Sequence, residues 1–135
     1  MEEWCGYYNE GLSYYKTTVG GIRKGKKLGS AVYYNLIGLS LESFLTAAMM
    51  KDGFLPEHSS ISYMIRELKK KYDVPESFTD ESRFFNRFMN MCSLEVLEMK
   101  EPDEQDLLRL VDFLEQVKAW TETLLEVPRH EESAK

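Results

Sequence analysis

The run from Leu28 to Met50 most constrains the fold of this chain, because it is apolar around most of the circumference of a helix. It is long enough to cross a bilayer, but it also carries the polar residues Ser30, Asn35, Ser40, Glu42, Ser43 and Thr46. A charged residue near the middle of a membrane span costs roughly 2.5–3.5 kcal/mol on insertion scales. The run therefore predicts a buried helix surrounded by other helices, and no membrane association.

Amphipathic segments precede and follow this central helix, which is predicted over 28–52. The first segment, 3–24, has apolar residues at steps of three and four, the spacing of one helix face. Gly25 suits a left-handed stop at its end. The next segment follows a predicted cap at Ser59, and its apolar face comprises Ile61, Ile65, Leu68 and Tyr72.

Two more helices are predicted in the last third of the chain. The fourth follows cap residues within 79–82, and its apolar face comprises Phe85, Phe88, Cys92, Val96 and Met99. Flexible Met side chains fill irregular gaps well, so we interpret this stripe as core and not as a cofactor site. The fifth helix has Pro102 at its first position and ends before Pro128.

These segments together predict an all-α fold, an up-and-down bundle of about five helices. The 135 residues suit one domain, predicted over 1–127, with a flexible C-terminal tail over 128–135. No strand pattern or internal repeat competes with this interpretation.

Short connections between consecutive helices favour antiparallel neighbours, so the ends of the first and third helices are expected at one pole. That arrangement would gather eight of the 17 cationic residues, namely Arg23, Lys24, Lys26, Lys27, Arg66, Lys69, Lys70 and Lys71. Such a pole could hold an anion, a phosphate or an acidic partner. The helix dipole alone also favours cations at helix C-termini by roughly 0.3–1 kcal/mol, so a purely structural explanation stays open.

The composition restricts the classes of function. A net charge of −6 argues against general DNA binding, which depends on clustered Lys and Arg. Cys5 and Cys92 have no disulfide-framework or zinc-site spacing. The N-terminal residues Met1, Glu2, Glu3 and Trp4 lack the basic start and apolar core of a secretory signal, so a cytoplasmic location is expected.

Motifs of common enzymes are absent from the sequence. There is no HExxH, no Glu-x-x-His pair, no phosphate-binding glycine loop and no nucleophile elbow. We therefore predict no catalytic residue, no metal site and no cofactor. His58 is interpreted as a capping or surface residue.

A polar stripe on the central helix is the most informative local pattern. Asn35, Glu42 and Thr46 recur at seven and four residues, beside Gly38. A buried carboxylate needs a partner, and Arg83, Arg87 or a tyrosine hydroxyl across the bundle could provide one. The stripe could equally bind a ligand, meet a second subunit or face solvent.

The small and apolar central helix, Glu42, Leu45, Ala47-Ala48, the segment 53–59 and the amphipathic helix after it resemble the HEPN family (higher eukaryotes and prokaryotes nucleotide-binding). The resemblance extends loosely over 4–125. It implies a helical bundle that often forms a homodimer, sometimes pairs with a small nucleotidyltransferase, and in many members cleaves RNA.

The RNA-cleaving members of that family carry an Arg-x4–6-His motif in the dimer cleft, and this sequence departs from it. Arg83 is followed by Asn90 and Arg87 by Cys92 where the histidine would stand. Neither side chain replaces an imidazole that titrates near neutral pH. Enzyme activity is therefore not expected.

The sequence thus predicts a non-catalytic HEPN-like binding or partner module for a nucleotide or phosphate group. The candidate ligand-binding residues are Arg83, Arg87, Asn90, Glu42, Lys69, Lys70 and Lys71. One alternative is a toxin-type, metal-independent ribonuclease that uses Arg87. Another is a structural or regulatory helical interaction protein unrelated to HEPN.

Overall fold

The computed structural model describes residues 3–25, 28–58, 60–89 and 101–127. Within these ranges the chain forms five α-helices and no strand, so the predicted all-α bundle is confirmed. The helices are α1 (Trp4–Arg23), α2 (Ser30–Met50), α3 (Ile61–Lys69), α4 (Ser77–Asn86) and α5 (Glu104–Leu125). The predicted tail at 128–135 and the predicted core positions Cys92, Val96 and Met99 lie outside the described residues.

The centre of the core is α2, as its composition predicts. Ile37, Leu41, Phe44 and Leu45 of this helix are fully buried. Its close contact with α1 depends on Gly11, because a Cβ there would lie 2.7 Å from the Phe44 ring. None of the helices in the described part of the chain is both long and apolar enough to cross a membrane.

Three helix starts differ from the sequence prediction. Asp103, and not Pro102, precedes α5 directly, since Asp103 and Asp106 form a reciprocal capping box with each other's backbone N–H. Ser60 caps α3 by accepting from the N–H of Tyr63 at 3.3 Å, whereas Ser59 lies outside the described residues. The start of α4 comes at Ser77, before the predicted cap. Gly25 has the expected left-handed conformation, with φ of 72°.

Neighbouring helices run antiparallel at three connections. In the first pair, Gly11 meets Phe44 and Gly21 meets Tyr33. In the second pair, α3 and α4, hydrogen bonds join Ser62 to Asn86 and Lys69 to Glu76. In the third, α4 and α5, the ring of Phe78 packs on Trp120 and that of Phe84 on Arg109.

The connection from α2 to α3 departs from the up-and-down order. Thr46 donates to the sulfur of Met64 at 3.6 Å, and the hydroxyl of Tyr72 donates to Asp52. The contact that lies later along α2 also lies later along α3, so α2 and α3 run parallel. This direction is possible because residues 54–58 form no helix and bring the chain back along α2 before α3 begins.

The predicted basic pole is wrong for the same reason. The Lys71 ammonium lies 3.7 Å from the centroid of the Phe54 ring, at the C-terminal end of α2, whereas Arg23 ends α1 near the N-terminal end of α2. A helix of 21 residues separates the two ends by about 30 Å. Lys69, Lys70 and Lys71 therefore do not join Arg23 and Lys24, and Lys26 and Lys27 lie outside the described residues.

Candidate functional site

A cavity of about 800 Å³ lies between α2, the start of α3 and the end of α4. Its polar lining includes Asn35, Glu42, Glu57, His58 and Asn86, and no lysine or arginine lines it among the residues that the structure describes. Two carboxylates without a cation make this cavity unsuitable for an anionic ligand. It is called the α2 cavity below.

The predicted polar stripe on α2 divides between this cavity and the core. Asn35, Gly38 and Glu42 line the α2 cavity. Thr46 is buried under α3, where it bonds to Met64. The part of the stripe at Thr46 is therefore covered by α3, and the part from Asn35 to Glu42 is not.

Glu42 does not pair with either arginine proposed from the sequence. Arg83 lies 3.6 Å from Asp80 of its own helix, and the guanidinium of Arg87 lies 5.5 Å from the centroid of the Phe84 ring. The half-buried Glu42 carboxylate makes no ion pair with any residue that the structure describes. It faces the α2 cavity instead.

A second cavity, of about 300 Å³, lies in the groove between α3 and α4 and has the opposite charge. Three cations and three hydroxyl groups line it, with Ile65 at its floor. We call it the α3–α4 cleft, and its polar residues are Ser62, Arg66, Lys69, Thr79, Ser82 and Arg83.

Helical spacing explains why these side chains meet. Ser62, Arg66 and Lys69 follow each other at steps of four and three on α3, which places them on one face. Thr79 and the adjacent pair Ser82 and Arg83 follow at steps of three and four on α4. Because the two helices are antiparallel, the two polar faces lie opposite each other across the groove.

Hydrogen bonds fix the floor of the cleft. The ammonium of Lys69 donates to the hydroxyl of Thr79 at 3.0 Å, and Ser62 donates to Ser82 at 3.1 Å. Ser82 in turn donates to the carbonyl of Thr79 at 2.8 Å. Asn86, which lines the α2 cavity, donates to Ser62 at 2.8 Å. The cleft is therefore organised before any ligand binds.

Two acidic side chains lie beside the cleft but do not line it. Glu76 is 3.4 Å from Lys69, and Asp80 is 3.6 Å from Arg83. The side chains of these carboxylates are 91% and 74% exposed, so both contacts are surface ion pairs that water and salt weaken. Arg66 forms no ion pair among the described residues.

The structure separates the predicted ligand-binding residues into several places. Only Lys69 and Arg83 line the α3–α4 cleft. Lys70 turns to Glu67 at 3.0 Å, and Lys71 lies over Phe54. Glu42 lines the α2 cavity, Arg87 lines neither of these two cavities, and Asn90 lies outside the described residues.

Sequence reasoning missed the hydroxyl residues Ser62, Thr79 and Ser82 as candidate ligands. Their signal was available in part, since Ser62 and Thr79 each stand four residues from an arginine of the same helix face, whereas Ser82 is adjacent to Arg83. What the sequence could not supply was the pairing of the two faces across the groove. In the described part of the chain, no three His, Cys, Asp or Glu residues lie close enough together to hold a metal ion.

Comparisons of this chain with protein-family models, with curated proteins and with solved structures found no match. The resemblance to HEPN therefore stays a prediction from the sequence.

Proposed function

We propose that this chain is a non-catalytic helical binding module that holds a phosphate group in the α3–α4 cleft. The observation that carries the proposal is the convergence of three cations and three hydroxyl groups on one cavity of about 300 Å³. The overall charge of −6 would repel an anion from most of the surface, so this cleft is a local exception.

The chemistry of the lining suits a tetrahedral oxyanion. A guanidinium group offers parallel N–H donors that match two phosphate oxygens, and the ammonium of Lys69 acts as a point charge. The hydroxyl groups of Thr79 and Ser82 can rotate to donate to a third oxygen. Glu76 and Asp80 must move away when the ligand binds, which costs little because both are highly exposed.

The placement of the titratable groups favours binding over catalysis. His58 is the one imidazole in the described ranges, and it lines the α2 cavity while Arg83 lines the cleft. A general base must come within hydrogen-bond reach of the proton it removes. No observation therefore supports the ribonuclease alternative with Arg87.

The family resemblance would extend the ligand from a phosphate group to a nucleotide and would add a nucleotidyltransferase partner. Both stay predictions that rest on the resemblance, whereas the phosphate proposal rests on the cleft. The third alternative, a purely structural interaction protein, predicts that no phosphate compound binds in the cleft.

Calorimetric titration with inorganic phosphate, AMP and ATP, and with adenosine as the uncharged control, tests the proposal. We expect the phosphate compounds to bind and adenosine not to bind. Lys69→Gln and Arg83→Gln should each weaken binding by about tenfold to a hundredfold, since a hydrogen bond to a charged group contributes about 1.5–3 kcal/mol.

Matched control variants are available beside each of these residues. Lys70→Gln and Arg87→Gln remove the same charges from positions that do not line the cleft, so they should change affinity by less than about twofold. Absence of binding to every phosphate compound, or equal losses in the cleft and control variants, would show that the cleft is not a phosphate site.

A further inference from the structure

A further cavity, at the C-terminal end of α2, combines aromatic rings with carboxylates. Its volume is about 240 Å³, below the range of pockets for drug-sized ligands, so it suits a small organic group. It lies between the residues that follow α2 and the end of α3. We call it the aromatic cavity, and its rings and carboxylates are Phe54, Tyr63, Tyr72, Asp52, Glu57 and Glu67.

The end of α2 fixes the position of Phe54. Gly53 has a φ of 82°, and its N–H donates to the carbonyl of Met50 at 2.9 Å. The N–H of Phe54 donates to the carbonyl of Met49 at 3.3 Å. These two bonds belong to a helix end at which a left-handed glycine turns the chain. Phe54 is therefore held at the cavity by its backbone although the residue is 56% exposed.

The electrostatic character of the aromatic cavity favours a cation. Met49 in the last turn of α2 and Leu68 in the last turn of α3 both line it, so the C-terminal ends of the two parallel helices meet there. The negative end of a helix dipole attracts cations. Among the described residues, three carboxylates line the cavity against one ammonium, that of Lys71. The faces of the aromatic rings carry further negative potential.

The chain's own Lys71 already places an ammonium on one of these rings. Its nitrogen lies 3.7 Å from the centroid of the Phe54 ring, well within the distance of about 6 Å at which a ring attracts a cation. Lys71 is exposed and forms no ion pair with any described residue. The ring therefore holds this ammonium without the help of a carboxylate, and Lys71 marks the place of a cation.

The other two rings also lie near cations of the chain, but these cations do not fill the cavity. The guanidinium of Arg66 is 5.8 Å from the centroid of Tyr63, and the ammonium of Lys51 is 6.0 Å from that of Tyr72. Neither residue lines the aromatic cavity. Both are exposed, so salt and water weaken their repulsion of a bound cation.

We propose that the aromatic cavity accepts the quaternary ammonium group of an organic ligand. Such a group has no N–H to satisfy, and aromatic rings flanked by carboxylates recognise it through its charge and its methyl groups. A primary ammonium is strongly hydrated and needs acceptors, whereas Asp52 already accepts from the hydroxyl of Tyr72. The exposed and flexible Lys71 side chain moves aside when the ligand enters.

An NMR titration of the isotope-labelled full chain with choline and with tetramethylammonium tests the proposal. Both cations should shift the amide signals of residues 53–57 and 67–72 to saturation. The uncharged control is neohexyl alcohol, in which a carbon atom replaces the nitrogen of choline. It should bind more weakly than choline by about fivefold or more. Equal affinity for the alcohol would show an apolar pocket without preference for a cation and would overturn the proposal.

Two substitutions test the contributions of ring and carboxylate. Phe54→Leu keeps an apolar side chain without the aromatic face and should weaken choline binding by about threefold to tenfold. Glu67→Gln should weaken it by about twofold to fivefold. Glu76→Gln is the matched control, since Glu76 also pairs with a lysine but does not line the cavity. Equal effects of Glu67→Gln and Glu76→Gln would contradict the assignment, and melting curves establish that each variant is folded.

A third substitution, Lys71→Gln, should improve binding. It removes the ammonium that now lies over Phe54 together with one positive charge, so choline should bind about twofold to fivefold more tightly. Lys69→Gln makes the same change two residues earlier, in the α3–α4 cleft, and should leave choline binding unchanged. Equal or weaker binding by Lys71→Gln would show that the cation site is not at the Phe54 ring.

The quaternary ammonium group could belong to a small molecule or to a methylated lysine of another protein. Choline represents the first source and a short peptide with trimethyllysine the second, and the tighter of the two identifies the source. Absence of saturable shifts with both would overturn the proposal. None of these results bears on the phosphate titrations, because the aromatic cavity and the α3–α4 cleft share no described residue.

Discussion

The hydroxyl of Tyr34 donates a 2.8 Å hydrogen bond to the carbonyl oxygen of Phe85, and the two rings stack with their centroids 4.5 Å apart. This contact joins the second turn of α2 to the last turn of α4. It depends on Gly38, because a Cβ at that position would lie 2.9 Å from the Phe85 ring. Burial raises the pKa of the Tyr34 phenol, which therefore stays a donor at neutral pH.

Removal of this hydroxyl should destabilise the fold. Tyr34→Phe keeps the ring but leaves the Phe85 carbonyl without its side-chain donor, so we expect the free energy of unfolding to fall by about 1–2 kcal/mol. Tyr14→Phe is the control, since the Tyr14 hydroxyl has no hydrogen-bond partner in the described part of the chain. Urea unfolding followed by circular dichroism measures both. Equal effects of the two variants would contradict the assignment.

Two glycines of α1 should respond oppositely to alanine. At Gly11 a Cβ would lie 2.7 Å from the buried Phe44 ring, so Gly11→Ala forces the α1–α2 contact apart and should cost about 1–3 kcal/mol. At Gly20 a Cβ meets nothing within 4 Å. Gly20→Ala should therefore stabilise the protein by about 0.4–1 kcal/mol, because it restricts the unfolded chain.

Thermal unfolding of both glycine variants provides the comparison. The same substitution in the same helix holds intrinsic helix propensity nearly constant, so the difference between the variants reports the contact with Phe44. A lower melting temperature for Gly20→Ala than for Gly11→Ala would contradict this packing.

The fold was predictable from the sequence wherever a helix face could be recognised locally. The apolar circumference of 28–50 identified the central helix, and Gly25 identified the end of the first helix, because both signals lie within one element. The direction of α3 was not predictable in this way. It depends on the path of the non-helical residues 54–58 and on contacts between distant residues, such as Tyr72 with Asp52, which residue spacing does not reveal.

The same distinction separates the parts of the candidate site. Lys69 and Arg83 were predicted as ligand residues from their charge, and the structure places both at one cavity. Lys70, adjacent to Lys69, was predicted with equal weight but points to Glu67. Adjacent side chains on a helix point about 100° apart. Whether a lysine lines the cleft therefore depends on which face of its helix meets a neighbouring helix. Only the pairing of α3 with α4 provides that information.

The ion pair that joins Glu81 of α4 to Arg109 of α5 should stabilise the fold more than an exposed ion pair usually does. Arg109 donates two hydrogen bonds to Glu81, of 3.0 and 2.9 Å, and its guanidinium lies 3.9 Å from the centroid of the Phe84 ring. Such a two-point contact is stronger than a single one. We expect Arg109→Ala to lower the free energy of unfolding by about 1 kcal/mol, and Arg109→Lys by nearly as much.

The contact of Arg83 with Asp80 provides the control for this prediction. It has one distance of 3.6 Å, and both side chains are about three-quarters exposed. Arg83→Ala should change the free energy of unfolding by less than about 0.5 kcal/mol. Urea unfolding in low and high salt measures both variants, and an Arg83→Ala effect as large as that of Arg109→Ala would contradict the argument.

Stability at alkaline pH should depend on Tyr15. Burial, together with the 2.8 Å hydrogen bond that its hydroxyl donates to Glu115, raises the pKa of Tyr15 to about 12. In the unfolded chain the pKa is about 10. Between these values the folded protein keeps a proton that the unfolded chain has lost, so the free energy of unfolding falls as pH rises. The contribution of Tyr15 is fully present below pH of about 10 and is lost as the pH approaches about 12.

Tyr15→Phe removes this titration together with the hydrogen bond. The variant should be less stable than the wild type at neutral pH, and the difference between the two should narrow as pH rises from about 10 to about 12. Tyr72 keeps a similar dependence in both proteins, because burial and its hydrogen bond to Asp52 raise its pKa to about 12 as well. Only the change in the difference therefore reports Tyr15. Denaturant unfolding of both proteins at a series of alkaline pH values measures it, and a difference that stays constant would show that the Tyr15 phenol ionises equally in the folded and unfolded states.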